Sequence, residues 1–345
     1  MNGPPRGARG LKPEFYSCDQ RFADQREQLL GRTWHFLAAE ASLGQAVGSV
    51  SPQVLLPGAL HEPVVLVRSP SGAPRCLSNV CSHRGAEVVR EPGVYRQLRC
   101  SYHARCFDLD GRVRSAPGFV QPHGDLAPVS LGQIGPLLFA AVEPFMPFPS
   151  LDERFADLPW DDLRQLPERT QFFEVKAHWA LYVENYLEGL HIPFVHPGLS
   201  QALAWKQYRY ELVDGGTLQV GLAATGQPAF EPANGAERVA AWYLWLFPTT
   251  MLNIYPWGIS VNRVLPVSSQ LTRVEFQSWV WRPELLDQGA GSGLDRVELE
   301  DEEVVESVAR GMRSLRARPS EYSEQHEQGL YHFHQLLRKH LNDGL

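Results

Sequence analysis

The sequence predicts an α+β chain, a small β domain followed by a larger domain of strands flanked by helices. From about residue 45 to 140, short β-like runs such as VVLVR and PLLFAAV are punctuated by Gly and Pro. The Pro-rich stretch PFMPFPSLDE at 144–153 then marks a boundary, because proline fixes φ and ends regular structure. Beyond it come FFEVK, a helix candidate at 178–191, long alternating or apolar runs (AWYLWLF, SVNRVLPV, RVEFQSWVW) and two C-terminal helices. Strands and helices in that mixture suit an α+β domain.

Residues 14–37 read as helical, with Phe22, Leu29, Leu30 and Trp34 as the apolar set. The expected organisation is therefore a helical segment at 1–44 packing on the larger domain, a β domain at 45–143 and the larger domain at 144–345. GAGSG at 289–293 reads as a flexible connection, and no internal repeat stands out. With 345 residues and 43% hydrophobic content, the chain can bury sizeable cores. Its net charge of -7, without a long basic run, argues against nucleic acid as a partner. No uninterrupted apolar run has membrane-spanning length, and no apolar stretch follows MNGPPRGARGLKPEF, so a cytoplasmic protein without a membrane partner is expected. Cysteines 18, 76, 81, 100 and 106 are an odd number in a large chain, which suits reduced thiols and metal ligation better than a disulfide framework.

The loudest signal is CSHRGAEVVREPGVYRQLRCSYH, residues 81–103, which supplies Cys81-x-His83 and Cys100-x-x-His103 from two short loops. Structural zinc sites usually pair ligands of one kind, whereas here each pair mixes Cys and His. A 2Fe-2S centre with two thiolates on one iron and two imidazoles on the other needs this inventory. A zinc clip, or buried cysteines beside surface histidines, are the plainer alternatives. The segment resembles the signature of Rieske proteins, which implies a 2Fe-2S cluster held by Cys81, His83, Cys100 and His103. Ala86 and Tyr102 stand where the respiratory class carries two further cysteines, so the resemblance is to the oxygenase or ferredoxin class. One departure is clear: oxygenases usually continue His-Gly-Trp, and this chain has His103-Ala104-Arg105. Cys106 reads as a small buried hydrophobe.

A second constellation lies in WALYVENYLEGLHIPFVHP, residues 179–197. Helical winding puts Glu184, Asn185, Glu188 and His191 on one stripe, as an ordinary surface helix also would. Pro193 disfavours helical geometry at Ile192, so the chain should turn and bring His196 back beside His191. Two histidines and one carboxylate on one octahedral face suit non-haem Fe(II). The acid is sought in LEDEEVVESVARGMRSL, 299–315, where Glu300, Asp301, Glu302, Glu303 and Glu306 follow Glu298. Asp301 falls on the stripe of Val304, Val305, Val308, Met312 and Leu315, and a carboxylate there calls for a cation. A first-turn acid favoured by the helix dipole is the alternative. His332, His334 and His340 are given no metal, since Leu330, Phe333, Leu337 and Leu341 form the buried stripe of their helix.

ENYLEGLHIPFVHP, EDEEVVESVARGM and EQGLYHFHQLL resemble the corresponding segments of Rieske oxygenase α subunits, the aromatic ring-hydroxylating dioxygenase family. The resemblance implies an N-terminal Rieske β domain and a C-terminal helix-grip (START-like) antiparallel-sheet catalytic domain. It implies mononuclear Fe(II) on His191, His196 and Asp301, and a terminal oxygenase acting as a mono- or dioxygenase on a small organic substrate with dioxygen. Family members are commonly trimers, in which one subunit's Rieske centre faces the next subunit's iron. Most have aspartate three residues before the first iron histidine, bridging the two centres; here that residue is Glu188, as in the subgroup that oxidises choline, glycine betaine or carnitine. Its carboxylate is expected to reach outward. No flavin or nicotinamide fingerprint is seen, so a separate NAD(P)H-dependent reductase, with or without a ferredoxin, is the implied partner. A quaternary-ammonium monooxygenase and a Rieske electron carrier without oxygenase activity are the two alternatives. Trp242, Trp245, Trp257 and Tyr255 could cage a quaternary ammonium, though such residues in strands are more often core.

Overall fold

The structure, a computed structural model, describes residues 3–150, 152–231 and 237–341. The chain forms two compact units, Leu30–Phe148 and the larger Met1–Leu29 with Pro149–Leu345. Two short helices open it, α1 (Pro13–Ser17) and α2 (Asp19–Gln28). The single helix expected over 14–37 is broken at Cys18, whose backbone is extended, and has ended by Leu29. Residues 35–39 are a strand, and its pairing within the smaller unit divides the expected 1–44 segment after Leu29. Leu29, Leu30 and Trp34 are buried all the same.

The smaller unit contains β1 (His35–Ala39), β2 (Ser49–Leu55), β3 (Glu62–Arg68), β4 (Pro74–Ser78), β5 (Gly93–Val94), β6 (Leu98–Arg99), β7 (Cys106–Phe107), β8 (Val113–Ser115), β9 (Pro128–Ile134) and β10 (Leu137–Ala141). Seven make an antiparallel sheet in the order β1-β10-β9-β4-β3-β2-β5, and β6-β7-β8 make a small second one. The VVLV run of β3 is continuous because both its faces are covered. Val64 and Leu66 join Leu37, Leu55 and Leu138 in one core. Val65 and Val67 join Leu77, Phe107 and Leu126 in another, which also takes in Cys81 and Cys100. Burial pushes the Cys76 thiol up to about 12, so it is a packing residue.

The larger unit continues with β11 (Arg164–Val175), α3 (Trp179–Tyr186), α4 (Ile192–Val195), α5 (Pro197–Ala202), β12 (Arg209–Val213), β13 (Gly216–Leu222), β14 (Val239–Leu246), β15 (Thr250–Tyr255), β16 (Gly258–Ser268), β17 (Leu271–Val280), α6 (Leu294–Met312) and α7 (Gln328–His340). Its antiparallel sheet has the order β11-β17-β16-β15-β14-β13-β12. Phe333 of α7 joins the helices to the sheet, with its ring 5.3 Å from Trp245 and 5.7 Å from Trp179. Burial drives His178 down to about 3, so its neutral Nδ1 accepts the Ala180 N–H at 3.2 Å and caps α3. No helix among the described residues is long and apolar enough to cross a membrane.

Four expectations are corrected here. Helix α3 stops at Tyr186 rather than 191, where the Leu187 N–H is shared between the Val183 and Glu184 carbonyls. Ile192 is nevertheless helical: Pro193 sits in the first turn of α4, where a missing N–H costs nothing. On α6 the buried residues are Glu298, Val305 and Ala309, whereas Val308 is exposed and Leu315 lies beyond the helix in solvent. The GAGSG stretch is also not a free connection. Gly289–Gly291 form a 3-10 turn with Ala290 and Gly291 buried, and a Cβ on Gly291 would lie 2.2 Å from Trp257 Nε1.

Candidate functional site

In the smaller unit the two Cys-His loops are built on one plan. The first, residues 81–86, is bracketed by the Val80–Glu87 bridge, and the second, 100–105, by the Arg99–Cys106 pair of β6 and β7. Each closes by a hydrogen bond from the cysteine N–H to a carbonyl five residues on, Cys81 to Ala86 at 2.8 Å and Cys100 to Arg105 at 2.9 Å. Four residues after each cysteine the backbone turns left-handed, at Gly85 (φ 72°) and at Ala104 (φ 54°). The glycine missing after His103 is thus a real local cost, since an L-residue there is strained by about 1–2 kcal/mol.

Both cysteines are buried, and the His83 and His103 rings lie side by side at 4.6 Å toward the surface. Two adjacent buried thiols and two outer imidazoles fit a cluster with thiolates on one iron and imidazoles on the other. Arg105 stands at the position of the missing tryptophan. Its guanidinium is buried over Phe107 and beside Phe119 and donates to the His123 carbonyl. Arg105 also lies 3.4 Å from the Gly124 carbonyl, which accepts Ser82 Oγ of the first loop at 2.5 Å. One covering strand of chain therefore ties both loops. The Cys106 thiol is buried and turned to the Ala104 carbonyl at 3.4 Å.

In the larger unit, His191, His196 and Asp301 bring one ligating atom each within 4.8 Å of one another. Asp301 Oδ1 is 3.0 Å from His196 Nε2, 3.6 Å from His191 Nε2 and 2.6 Å from the Asn185 Nδ2 that donates to it. Bonds of about 2.0–2.2 Å to a single cation put donors about 3–4 Å apart, and both Asp301–His distances fall in that range. The outer nitrogens are also held: His191 Nδ1 by Glu188 Oε1 at 2.5 Å and His196 Nδ1 by Glu300 Oε2 at 2.8 Å. Each imidazole therefore turns Nε2 inward, the arrangement that orients metal-binding histidines. Burial pulls the His196 pKa down, and its bonds to Asp301 and Glu300 outweigh this and raise it. The centre carries an excess of negative charge, which a cation would satisfy.

Glu188 is not free to reach outward. Its Oε2 accepts the Leu190 and His191 N–H groups, so the carboxylate caps the turn that carries His191 while also orienting that ring. Glu300 was legible only as a rival ligand, and its contact with His196 Nδ1 is seen only in the structure. Glu298 was legible as a neighbour of the acids. The i, i+3 spacing from Asp301 was the signal that it shares the inward face.

These groups open on a cavity of about 90 Å³ walled by Tyr182, Tyr186, Tyr208, Tyr243, Tyr255 and Phe276, with Glu298 among the lining. The four residues considered for an aromatic cage are not its walls, except Tyr255. Trp242 packs on Phe230 and Phe155, Trp245 packs on Phe333, and Trp257 stacks behind Tyr255 at 5.2 Å. His334 is wholly buried elsewhere, its Nε2 3.0 Å from Glu184 Oε1 and its Nδ1 2.5 Å from the Tyr322 hydroxyl, while Tyr16 donates to the same Glu184 oxygen at 2.6 Å.

A pair of Cys-His loops in a β unit, with two histidines and a carboxylate beside a cavity in a second unit, is the combination of a Rieske non-haem iron oxygenase. The chain belongs to the ring-hydroxylating α subunit family, whose catalytic-domain model matches residues 161–343, and a Rieske [2Fe-2S] domain matches residues 47–131. Its cofactors are a Rieske 2Fe-2S cluster and mononuclear iron, and it is the terminal oxygenase component of a multicomponent system fed with electrons by a separate reductase.

Among relatives, it is 28% identical over 366 residues to the carnitine monooxygenase oxygenase subunit of Escherichia coli K12, covering 98% of this chain and 96% of that one. The chloroplastic choline monooxygenase of Spinacia oleracea is 24% identical over 365 residues, covering 98% and 80%. The crystal structure of the quaternary ammonium Rieske monooxygenase CntA with L-carnitine has a TM-score of 0.70 at 23% identity, covering 96% of each chain. Naphthalene 1,2-dioxygenase from Rhodococcus scores 0.69 at 18% identity, covering 97% and 95%. At these identities the structural likeness is one of fold.

The loop geometry predicts that Ala104→Gly stabilises the smaller unit, because glycine adopts positive φ without strain. The gain is set at up to about 1 kcal/mol, after the added flexibility of the unfolded chain is subtracted. It is read as a rise in the temperature at which the cluster's visible absorption is lost. A fall would show that the Ala104 methyl is packed to advantage.

Proposed function

We propose that this oxygenase acts on a quaternary ammonium compound, hydroxylating a carbon next to the nitrogen. The observation that carries this reading is the cavity wall, where Tyr186, Tyr208, Tyr243 and Tyr255 converge and no lysine or arginine is present among the lining residues. Aromatic faces attract a tetraalkylammonium through the ring quadrupole, by about 0.5–2 kcal/mol for each well-placed ring. The relatives named for carnitine and choline act on compounds of this kind, and they support the reading.

In the proposed assignment, Cys81, His83, Cys100 and His103 hold the cluster, and His191, His196 and Asp301 hold the mononuclear iron. When bound, that iron supplies dioxygen activation. Glu188 and Glu300 fix the two imidazoles by accepting their Nδ1 protons, and Asn185 holds Asp301 by donating to its Oδ1. The tyrosines hold the ammonium group and keep bulk water from the reacting carbon. One oxygen atom enters the substrate and the other leaves as water, with two electrons from the reductase and two protons. The hydroxylated carbon then releases a tertiary amine and leaves an aldehyde. The partner is an NAD(P)H-dependent reductase, with or without a ferredoxin, in the cytoplasm. The assembly is a homotrimer in which one subunit's cluster faces the next subunit's mononuclear iron.

A panel of choline, glycine betaine, carnitine and naphthalene, run with a surrogate reductase in labelled dioxygen, tests the substrate class. An ammonium compound should yield a tertiary amine and an aldehyde carrying label. Oxidation of naphthalene alone would sink the reading.

Glu188→Gln removes the charge and one acceptor at His191 Nδ1 while keeping the side chain's size. Loss of such an outer partner costs on the order of 10–100-fold in activity. Cluster reoxidation by dioxygen and substrate should slow by that factor, with cluster and iron content unchanged. Reoxidation at the wild-type rate would leave Glu188 as a turn cap only.

A further inference from the structure

One buried acid in the cavity has no part in the reaction outlined above. Glu298 lies on α6 one turn before Asp301, only 2% exposed, and its side chain is among the cavity lining. Oε2 accepts the Tyr182 hydroxyl at 2.7 Å, while the buried Oε1 has no hydrogen-bonding partner among the described residues. A buried carboxylate left half satisfied is costly unless something completes it. Burial raises its pKa well above the usual carboxylate range, and Asp301 and Glu302 add to the effect against the opposing bond from Tyr182. Burial thus favours the neutral form of this acid, and a cation beside it would favour the charged one.

The neighbouring charges point the same way. A second hollow shares Phe276 and Leu294 with the cavity and is lined by Glu168, Arg169 and Asp295. Arg169 is committed to both carboxylate oxygens of Asp287, at 2.6 and 3.0 Å, so the remaining charges of that hollow are acidic. Acidic walls of this kind draw in cations and repel anions. A ferrous ion on His191, His196 and Asp301 does not reverse this, because its two charges are met by Asp301 and by the carboxylates of Glu188 and Glu300 behind the imidazoles. The cavity's amides, Asn253 and Asn262 among them, suit a hydroxyl or carbonyl group but bring no positive charge. A carboxylate taken into such a site would be buried without a cationic partner.

We propose that Glu298 is the specificity-determining residue of this cavity, its carboxylate facing the positive nitrogen, and that the site selects quaternary ammonium compounds without a carboxylate over those that carry one. This rests on the quaternary-ammonium reading and goes beyond it.

The test is calorimetric binding to the anaerobic, iron-loaded enzyme of three ligands of similar size. These are choline, its neutral isostere 3,3-dimethyl-1-butanol, and the carboxylate-bearing glycine betaine. Wild-type protein should bind choline about tenfold or more tighter than either of the others, the factor expected for one charged contact. Glu298→Gln should weaken choline by a similar factor and leave the neutral alcohol unchanged, with cluster absorption and iron content reporting that the variant is folded. If wild type binds betaine as tightly as choline, the inference is overturned while the quaternary-ammonium reading stands. Equal weakening of choline and the alcohol in Glu298→Gln would overturn it too, since shape rather than charge would then be at work. If the neutral alcohol binds best to wild type, both readings fall. The wild-type comparison decides the matter alone should the variant not fold.

Discussion

The larger unit closes on a single oxygen, Asp301 Oδ1, which meets Asn185 from α3, His191 from the turn beyond it and His196 from the junction of α4 and α5. That run of chain lies more than 100 residues before Asp301, and the two meet because α3 and α6 pack together. The same stretch of α6 carries Glu298, Glu300 and Glu302, so the contact gathers negative charge that a helix alone would not tolerate. Two imidazoles, each backed by its own carboxylate, form the lining of that charge. Such a centre is stable with a cation at its middle and strained without one.

The smaller unit solves a different problem by repetition. Two loops of equal length, each bracketed by an antiparallel pair, present a cysteine inward and a histidine outward. The thiols sit in the core with Val65, Val67 and Phe107, which removes them from water, and the imidazoles stay near the surface. Solvent exposure and net charge are the levers that set the potential of such a cluster. Arg105, buried where a tryptophan is usual in the family, keeps the packing and adds a positive charge close to the second loop.

How far this was readable in the sequence depended on range. The Cys-His loops and the His191–His196 pair were legible because short spacings confine each to one loop or turn, and mixed Cys and His pairs suit few metals; Asp301 was reached only through a helical stripe of which Val308 and Leu315 prove exposed. The β unit followed by an α+β unit was legible from the change in periodicity near the prolines at 144–149. Helix ends were not, since periodicity carried the helix through Leu187 to His191, while capping by Glu188 and sharing of the Leu187 N–H decide the real end. Strand β1 was taken for helix because HFLAA is apolar after His35 and gives no period. Cavity walls were invisible for a further reason. Tyr208, Tyr243 and Tyr255 come from separate segments, and only the β13–β14–β15 register brings the last two to one face. The tryptophans, read as more often core than cage, are the packing behind it.

The central claim is that one iron sits among His191, His196 and Asp301 in addition to the two irons of the cluster. Anomalous diffraction at the iron edge from crystals of the iron-loaded enzyme tests it most directly. Two adjacent peaks are predicted between Cys81, Cys100, His83 and His103, and a third within bonding distance of His191 Nε2, His196 Nε2 and an Asp301 oxygen. A third peak bound by Glu298 or Glu300 in place of Asp301, or no third peak in active protein, would contradict the account.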